Sequence, residues 1–344
     1  MIEEGAADAL ALSGGRVYAE KRSSRTMDHR DCTAEGPNYE ELFREHDRFV
    51  WGLCYRMTGS AADADDLLQE TYLRAIEHPP SRTDEPWRPW LARVAINLGR
   101  DALRRRRRRA YVGPWLPSPI ETGDQESPPS HEPSLGGQST EARYDLLESV
   151  SFAFLLALEA LTPRQRAVLL LRDVFDYSVG DTARALGITE PNVKTTHHRA
   201  RRAMRAYDRA AVRPTRALQE RTQQALAQFV AGLVSGDVAA VEAMLSDDVR
   251  AVSDGAGEFF AARVPIHGPV RVARFHVNIA RRRPEGARFA VRMLNGLPAV
   301  VAEFGDHARG EPPRTVLGCE IDRAGKITRL YSVVATRKLS AVRF

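Results

Sequence analysis

Two stretches of the chain carry side chains whose types and spacing suit them to binding a nucleic acid. In the first, polar and basic residues recur at steps of three and four, and a run of arginines from Arg104 to Arg109 follows. They are Arg93, Asn97, Arg100 and Arg104. On a helix this spacing places guanidinium groups along one face, which gives strong, salt-sensitive attachment to a phosphate backbone. Trp87 and Trp90 precede this helix and suit stacking on unpaired bases, with a role as core anchors as the alternative.

The second stretch has the pattern of a helix-turn-helix. Thr162-Pro-Arg-Gln165 predicts a capping box with proline at the first helical position, and Ser178 is placed to cap the next helix. Gly187 allows a tight turn before a third helix that we expect to begin near Glu190. The residues expected on its outer face are Asn192, Lys194, Thr195, His198, Arg199 and Arg202. Such residues at the start of a recognition helix suit contact with base edges and phosphates.

An acidic helix precedes the basic one. Ser60 and Asp63 form a capping pattern, and we expect Leu68, Tyr72, Ala75 and Ile76 to pack inward. A second face carries Asp66, Gln69, Glu70 and Leu73. This face suits a basic partner with a hydrophobic socket, and an ordinary solvated helix face is the alternative.

The last third of the chain holds the residue types that could perform proton transfer. Asp254, His267 and His276 are candidates, but the sequence does not show that they converge. We assign no catalytic residue and no cofactor. A metal site is not expected, because His197 and His198 have no cysteine or carboxylate cluster nearby and no CxxC pair exists.

Composition and the positions of helix- and strand-breaking residues divide the 344 residues into five parts. Residues 1–37 suggest a flexible leader, 38–110 a helical domain, 111–140 a linker rich in Pro, Gly and Ser, and 141–209 a second helical domain. Residues 215–340 begin with a helix-like pattern and continue with alternating runs typical of strands, with a turn expected at Asn295-Gly296. They predict an α+β domain. The net charge of +5 is compatible with a polyanionic partner. No apolar run reaches the length of a membrane span and no signal peptide is visible, so we expect a cytoplasmic protein without membrane contact.

In this order, the motifs resemble those of extracytoplasmic-function (ECF) RNA polymerase sigma factors. DADDLLQETYLRAIE is similar to their polymerase-binding region, and RPWLARVAINLGRDALRR to the segment that opens and reads the minus-ten element. LTPRQRAVLLLRDVFDYSVGDTARALGITEPNVKTTHHRARRAM resembles their minus-thirty-five-reading domain. The tail, with SDGAGEFFAARVPIHGPVRVARF and NGLPAVV, resembles the SnoaL-like branch of the NTF2-like cone fold. The resemblance implies two all-α sigma-factor domains, the second with a helix-turn-helix, followed by an α+β SnoaL-like cone domain.

The resemblance also implies a role for each group of residues. Asp66, Gln69, Glu70 and Leu73 would contact the beta-prime clamp helices of core RNA polymerase, and the second domain would contact the beta flap. Contacts with promoter DNA at the minus-ten element would come from Trp87, Trp90, Arg93, Asn97, Arg100 and Arg104, and the loop between Pro79 and Pro89 would hold a flipped base. The outer face of the recognition helix would enter the upstream major groove.

In sigma factors with this tail, the cone domain and a proline-containing linker similar to YVGPWLPSPIET are thought to modulate activity. An intramolecular contact between the cone domain and the sigma domains is therefore expected. Relatives often carry a lysine in the DGxGx patch, where this chain has Glu258, so the role of that lysine does not transfer. Two alternatives stay open: a helix-turn-helix activator that uses only the second domain, and a DNA-binding module fused to a SnoaL-like enzyme.

Overall fold

The computed structural model describes residues 38–80, 86–108, 111–122, 144–210, 213–282, 287–305 and 310–344. The leader 1–37, the linker residues 123–140 and residues 141–143 lie outside these ranges. The first domain consists of α1 (Tyr39–Thr58), α2 (Ala61–Glu77) and α3 (Trp87–Arg108). The Ser60 hydroxyl accepts a hydrogen bond from the Asp63 amide and so caps α2, as the sequence predicts.

The inward face of α2 differs from the prediction. Its buried residues are Ala61, Ala64, Leu67, Thr71 and Ala75, whereas Ile76 is 50% exposed. The helix is rotated toward its small residues because these allow α2 to approach α1 and α3 closely. A buried hydroxyl needs a hydrogen-bond partner, and that of Thr71 donates to the Leu67 carbonyl.

The second helical domain has the predicted caps. It contains the short 3-10 helix η1 (Glu148–Val150) and the helices α4 (Phe152–Leu158), α5 (Pro163–Asp173), α6 (Val179–Leu186) and α7 (Glu190–Ala210). Both hydrogen bonds of the capping box between Thr162 and Gln165 are present, and Ser178 caps α6. Gly187 ends α6 at a φ of 62°, a conformation that glycine adopts without a steric cost.

The two helical domains share one hydrophobic core. Phe49 of α1 packs edge-on against Phe175, which follows α5, with ring centroids 5.3 Å apart. Two buried arginines cross the boundary: Arg56 donates to the Ser149 hydroxyl at 2.8 Å, and Arg166 donates to the Met57 carbonyl at 2.8 Å. The domains are therefore packed as one body in this structure.

The C-terminal domain is built on a six-stranded sheet. Its helices are α8 (Arg216–Ser235), α9 (Val238–Ala243), α10 (Pro269–Arg281) and the 3-10 helix η2 (Thr336–Leu339). The strands are β1 (Leu245–Asp254), β2 (Ile266–His267), β3 (Arg288–Leu294), β4 (Leu297–Glu303), β5 (Arg314–Ile321) and β6 (Ile327–Val333). They lie in the order β2-β1-β6-β5-β4-β3, and only the β1–β6 pair is parallel. The predicted α+β class is confirmed.

The two faces of this sheet have different neighbours. On the inner face, Leu317, Cys319 and Ile321 of β5 pack with Leu226 and Phe229 of α8. The alternating residues face outward, and there Val316 packs with Leu116, Leu339 and the half-buried Phe152 of α4. The outer face of the sheet thus rests on the helical domains and on the segment that follows α3.

Candidate nucleic-acid and protein interfaces

The recognition helix α7 presents one face to solvent. All six residues predicted to read the minus-thirty-five element are exposed there. The opposite face is buried through Val193, Ala200 and Met204, and Val193 packs with Ala183 of α6 as the helix-turn-helix spacing predicts. In this geometry α7 can enter a major groove while α6 stays behind it.

Asp173, the last residue of α5, holds α7 in place. Its carboxylate accepts from Arg201 at 2.6 and 3.1 Å and lies 2.8 Å from His197 Nε2. Burial alone would raise the pKa of this carboxyl, but the hydrogen bonds from His197 and Arg201 outweigh burial and hold the pKa below its ordinary value. His197 therefore has a positioning role, whereas the neighbouring His198 faces solvent.

The residues predicted to contact the minus-ten element are less uniformly exposed. Asn97 and Arg104 face solvent, whereas Arg93 and Arg100 are half-buried. Burial, with Arg104 and Arg164 nearby, lowers the pKa of Arg100. The rings of Trp87 and Trp90 are also half-buried and lie 5.8 Å apart. The loop expected to hold a flipped base falls largely on residues 81–85, outside the described residues.

The arginine run at the end of α3 contributes to folding contacts that the sequence did not indicate. Arg106 donates to the Thr58 carbonyl at 2.9 Å, forms an ion pair with Glu159 and lies 4.2 Å from the centroid of the Trp115 ring. Arg107 donates to the Leu161 carbonyl at 3.1 Å. These two guanidinium groups connect α3 to the second domain and to the linker.

The acidic face of α2 is at the surface. Asp66 and Gln69 are exposed, Leu73 is 39% exposed, and Glu70 forms an ion pair with Arg74 at 3.0 Å. Arg337 of η2 reaches this face from the C-terminal domain and contacts Asp66 at 2.6 Å. One predicted polymerase-binding carboxylate is thus already occupied by a residue of the same chain.

A second group of contacts centres on Asn295, which sequence reasoning identified only as a turn residue. Asn295 and Gly296 both have positive φ, at 52° and 82°, in the turn between β3 and β4. The Asn295 amide donates to the Tyr55 hydroxyl at 2.8 Å and to the Val150 carbonyl at 2.7 Å, and it accepts from the Ile120 amide at 3.0 Å. One side chain therefore joins the C-terminal domain to α1, to η1 and to the linker.

A third group surrounds the buried carboxylate of Asp254 at the end of β1. It accepts from the Tyr111 hydroxyl at 2.6 Å and the Leu116 amide at 2.7 Å, and it pairs with Lys338 at 2.5 Å. Burial lowers the pKa of Lys338 to about 8, although the nearby Asp254 acts in the opposite direction. Lys338 also donates to the Leu116 carbonyl. The linker residues 111–122 are therefore clamped between the domains.

The three candidates for proton transfer do not come together. Asp254 lies on the outer side with the linker, whereas His276 is buried on the inner side, 5.6 Å from the Phe229 ring. His267 is exposed on the edge strand β2. Within the described residues, no group of three His, Cys, Asp or Glu side chains could hold a metal ion, and none of the described helices is long and apolar enough to cross a bilayer.

Comparison with known proteins places both helical domains. Residues 42–109 match the family model for sigma-70 region 2, and residues 151–204 match that for sigma-70 region 4. ECF RNA polymerase sigma factor SigJ of Mycobacterium tuberculosis is 31% identical over 275 residues, which are 79% of this chain and 80% of SigJ. SigG of the same species is 33% identical over 247 residues, covering 67% of this chain and 61% of SigG.

The likeness extends to the whole fold. The crystal structure of M. tuberculosis SigJ superposes with a TM-score of 0.65 at 24% identity, over 88% of this chain and 98% of that one. This match includes the C-terminal sheet, so the third domain is the SnoaL-like cone domain that the sequence predicts. The chain belongs to the ECF RNA polymerase sigma factor family and carries a C-terminal SnoaL-like domain.

Proposed function

We propose that this chain directs core RNA polymerase to specific promoters and that the structure is its closed, resting form. In this form the SnoaL-like domain holds the two sigma domains together. The observation that carries the proposal is the position of Asn295, whose side chain hydrogen-bonds to the first domain, the linker and the second domain at once.

The promoter geometry requires the sigma domains to separate. The minus-ten and minus-thirty-five elements are about 25 base pairs apart, which corresponds to roughly 85 Å of B-form DNA. Phe49 and Phe175, on the two domains, are in direct contact, with ring centroids 5.3 Å apart. Contacts that stabilise this shared core therefore oppose promoter engagement.

We assign the acidic face of α2 (Asp66, Gln69, Glu70 and Leu73) to the beta-prime clamp helices and the exposed face of α7 to the upstream element. The residues of α3, of which Arg93 and Arg100 are half-buried in this form, would bind the minus-ten element after opening. The beta flap remains the proposed partner of the second domain. We therefore propose a cytoplasmic location, in which the chain can meet core polymerase and promoter DNA.

We propose no catalytic role for the cone domain. Its candidate acid, Asp254, is engaged by Lys338 and the linker, and its buried histidine, His276, has a pKa lowered by burial. An active site needs convergent groups, and these two lie on opposite sides of the sheet. Membership of the sigma factor family likewise favours a role in positioning polymerase at promoters rather than in catalysing a reaction.

The test is the substitution Asn295→Gly in the full chain. Glycine accepts the positive φ of this turn, so the hairpin is kept while three interdomain hydrogen bonds are lost. At about 1 kcal/mol each, their loss shifts the closed-to-open equilibrium by about 3 kcal/mol, or roughly 100-fold. We expect tighter binding to core polymerase in fluorescence anisotropy, and more transcript from DNA fragments that the complex selects out of a random pool.

Tyr55→Phe is the graded control, because it removes the hydroxyl that donates to Ser118 and accepts from Asn295 but leaves two of the Asn295 bonds. Its effect should be smaller in both assays. Equal polymerase binding by wild type and Asn295→Gly would contradict the closed-form proposal. Failure of wild type and both variants to support any specific transcription would contradict the sigma-factor function itself.

A further inference from the structure

A cavity of about 460 Å³ lies where the outer face of the cone sheet meets the second sigma domain. This volume falls in the range of pockets that bind small molecules. One wall is the sheet, with Ala299, Gly318 and Tyr331 side by side on β4, β5 and β6. The other wall includes Ala153 at the start of α4 and Tyr207 near the end of α7. Small residues on both walls leave the space that larger side chains would fill.

A polar pair, Glu320 and Tyr331, lies on the sheet wall of the cavity. Glu320 stands two residues from Gly318 on β5 and therefore faces the same side of the strand. Its carboxyl accepts from the Tyr331 hydroxyl at 2.7 Å, which uses only part of the acceptor capacity of a carboxyl group. Phe152 packs against the Tyr331 ring at 5.4 Å, so this polar pair is bordered by an aromatic surface.

The charges of the lining balance. Three acidic residues and three arginines contribute to it: Asp248, Glu320, Asp322, Arg221, Arg323 and Arg329. Two of the arginines are engaged by backbone carbonyls, since Arg221 donates to Asp322 and Arg323, and Arg329 donates to Thr328. A lining without excess charge of either sign favours an uncharged ligand.

From this geometry we infer that the cavity is a binding site for an uncharged, mostly apolar small molecule bearing a hydroxyl group, which Glu320 and Tyr331 recognise. Because the walls belong to two domains, such a ligand binds the closed form and favours it over the open form. This coupling rests on the proposed function, whereas the binding site itself does not.

The probe is 2-naphthol, with naphthalene as the analogue that lacks the hydroxyl group, each titrated by fluorescence against the full chain. We expect saturable one-to-one binding of 2-naphthol to wild type. Gly318→Leu should abolish it, because a Cβ at Gly318 meets nothing closer than Ala299 Cβ at 3.9 Å and the added side chain projects into the cavity. The matched control is Gly305→Leu, at an exposed glycine with no atom within 4 Å of the added Cβ, and it should bind as wild type does.

Two further variants test the walls and the polar pair. Ala153→Leu fills the cavity from the sigma-domain side and should also abolish binding, so retention of binding in this variant overturns the two-domain site. Glu320→Leu with Tyr331→Phe removes both polar partners together. It should weaken 2-naphthol about tenfold and leave naphthalene unchanged, since the loss is that of a hydrogen bond. Equal binding of 2-naphthol by Gly318→Leu and Gly305→Leu overturns the site altogether.

The coupling is read separately with core polymerase. Saturating 2-naphthol should weaken polymerase binding by wild type and leave Gly318→Leu unaffected. Saturable binding of the probe with no change in polymerase affinity overturns the coupling, while the titrations without polymerase still decide the site. If the chain fails to bind polymerase at all, the proposed function fails, and the same titrations remain valid.

Discussion

At the scale of single residues, arginines of similar sequence context take different roles. Arg104 is exposed and pairs with the neighbouring Asp101, whereas Arg106, two positions later, is half-buried against Trp115 and Glu159. The guanidinium group serves both purposes because its planar fork suits phosphates, carbonyls and aromatic faces equally. A basic run therefore indicates a candidate nucleic-acid contact but does not separate it from a fold-stabilising one.

The pair Lys338–Asp254 allows a direct test at this scale. Lys338→Met should cost about 3 kcal/mol of the free energy of unfolding, because Asp254 stays buried without its cation. The double variant with Asp254→Asn should cost less than the sum of the single changes, since neither charge is then left alone. Urea unfolding of the four proteins measures this coupling. Additive losses would mean that the two charges do not stabilise each other.

Reversing the acidic face of α2 tests the polymerase assignment. Asp66→Lys with Glu70→Lys should reduce binding to core polymerase by at least about tenfold, because like charges then face a basic partner. Binding of duplex DNA through α7 should not change, since both residues lie on another domain. Arg337→Ala is the companion variant: it removes exposed ion pairs with Asp66 and Asp63, worth about 0.2–1 kcal/mol each, so its effect should be small. Unchanged polymerase binding by the double reversal would remove the assignment.

At the scale of elements, the sequence predicts what local chemistry determines. The capping box at Thr162, the cap at Ser60 and the left-handed turn at Gly187 each depend on residues within four positions of one another. The exposure of the six residues assigned to the upstream element was predicted in the same way, because helical periodicity alone separates the face containing Val193 from the exposed one. Here the pattern and the structure agree.

Contacts between distant segments could not be predicted in this way. Composition identifies residues 111–122 as linker, yet Tyr111 and Leu116 bind Asp254, more than 130 positions later. The buried face of α2 lies one residue away from the predicted face. Ile76 is apolar but exposed, whereas Thr71 is polar but buried, and its hydroxyl donates a hydrogen bond within the helix. Apolar type alone does not decide which side of a short helix another element covers.

Asp173 connects two elements, and its pKa gives a prediction with a defined sign. The folded pKa is below the ordinary value of about 3.9, so its contribution to stability is complete above that pH and is lost as the pH falls through the folded value. Asp173→Asn should therefore lower stability at pH 6, and the difference from wild type should shrink as the pH approaches 3. Urea midpoints across this range measure it. The variant should also weaken duplex binding, because α7 loses its contacts to α5, and a constant difference at all pH values would contradict this account.

At the scale of the whole molecule, the cone domain uses the outer face of its sheet as a platform for the rest of the chain. Leu116 of the linker, Phe152 of the second sigma domain and Leu339 of η2 all pack there. The same domain reaches the first sigma domain through Asn295 and Arg337. Opening must break these contacts together, so the closed form should convert to the open form as a cooperative step rather than by gradual loosening.

Energy transfer between two labels measures that step. Glu77→Cys on α2 and Arg205→Cys on α7 are exposed positions on different sigma domains, and Cys32→Ser removes a competing thiol outside the described residues while Cys54 and Cys319 are buried. The free protein should give one population with a high efficiency of energy transfer between the labels. Core polymerase with promoter DNA should replace it with a population of low transfer, because the two promoter elements are roughly 85 Å apart. Asn295→Gly should populate the low-transfer state without polymerase. High transfer in the promoter complex would mean that the sigma domains engage DNA without separating, and the closed structure would then be the active one.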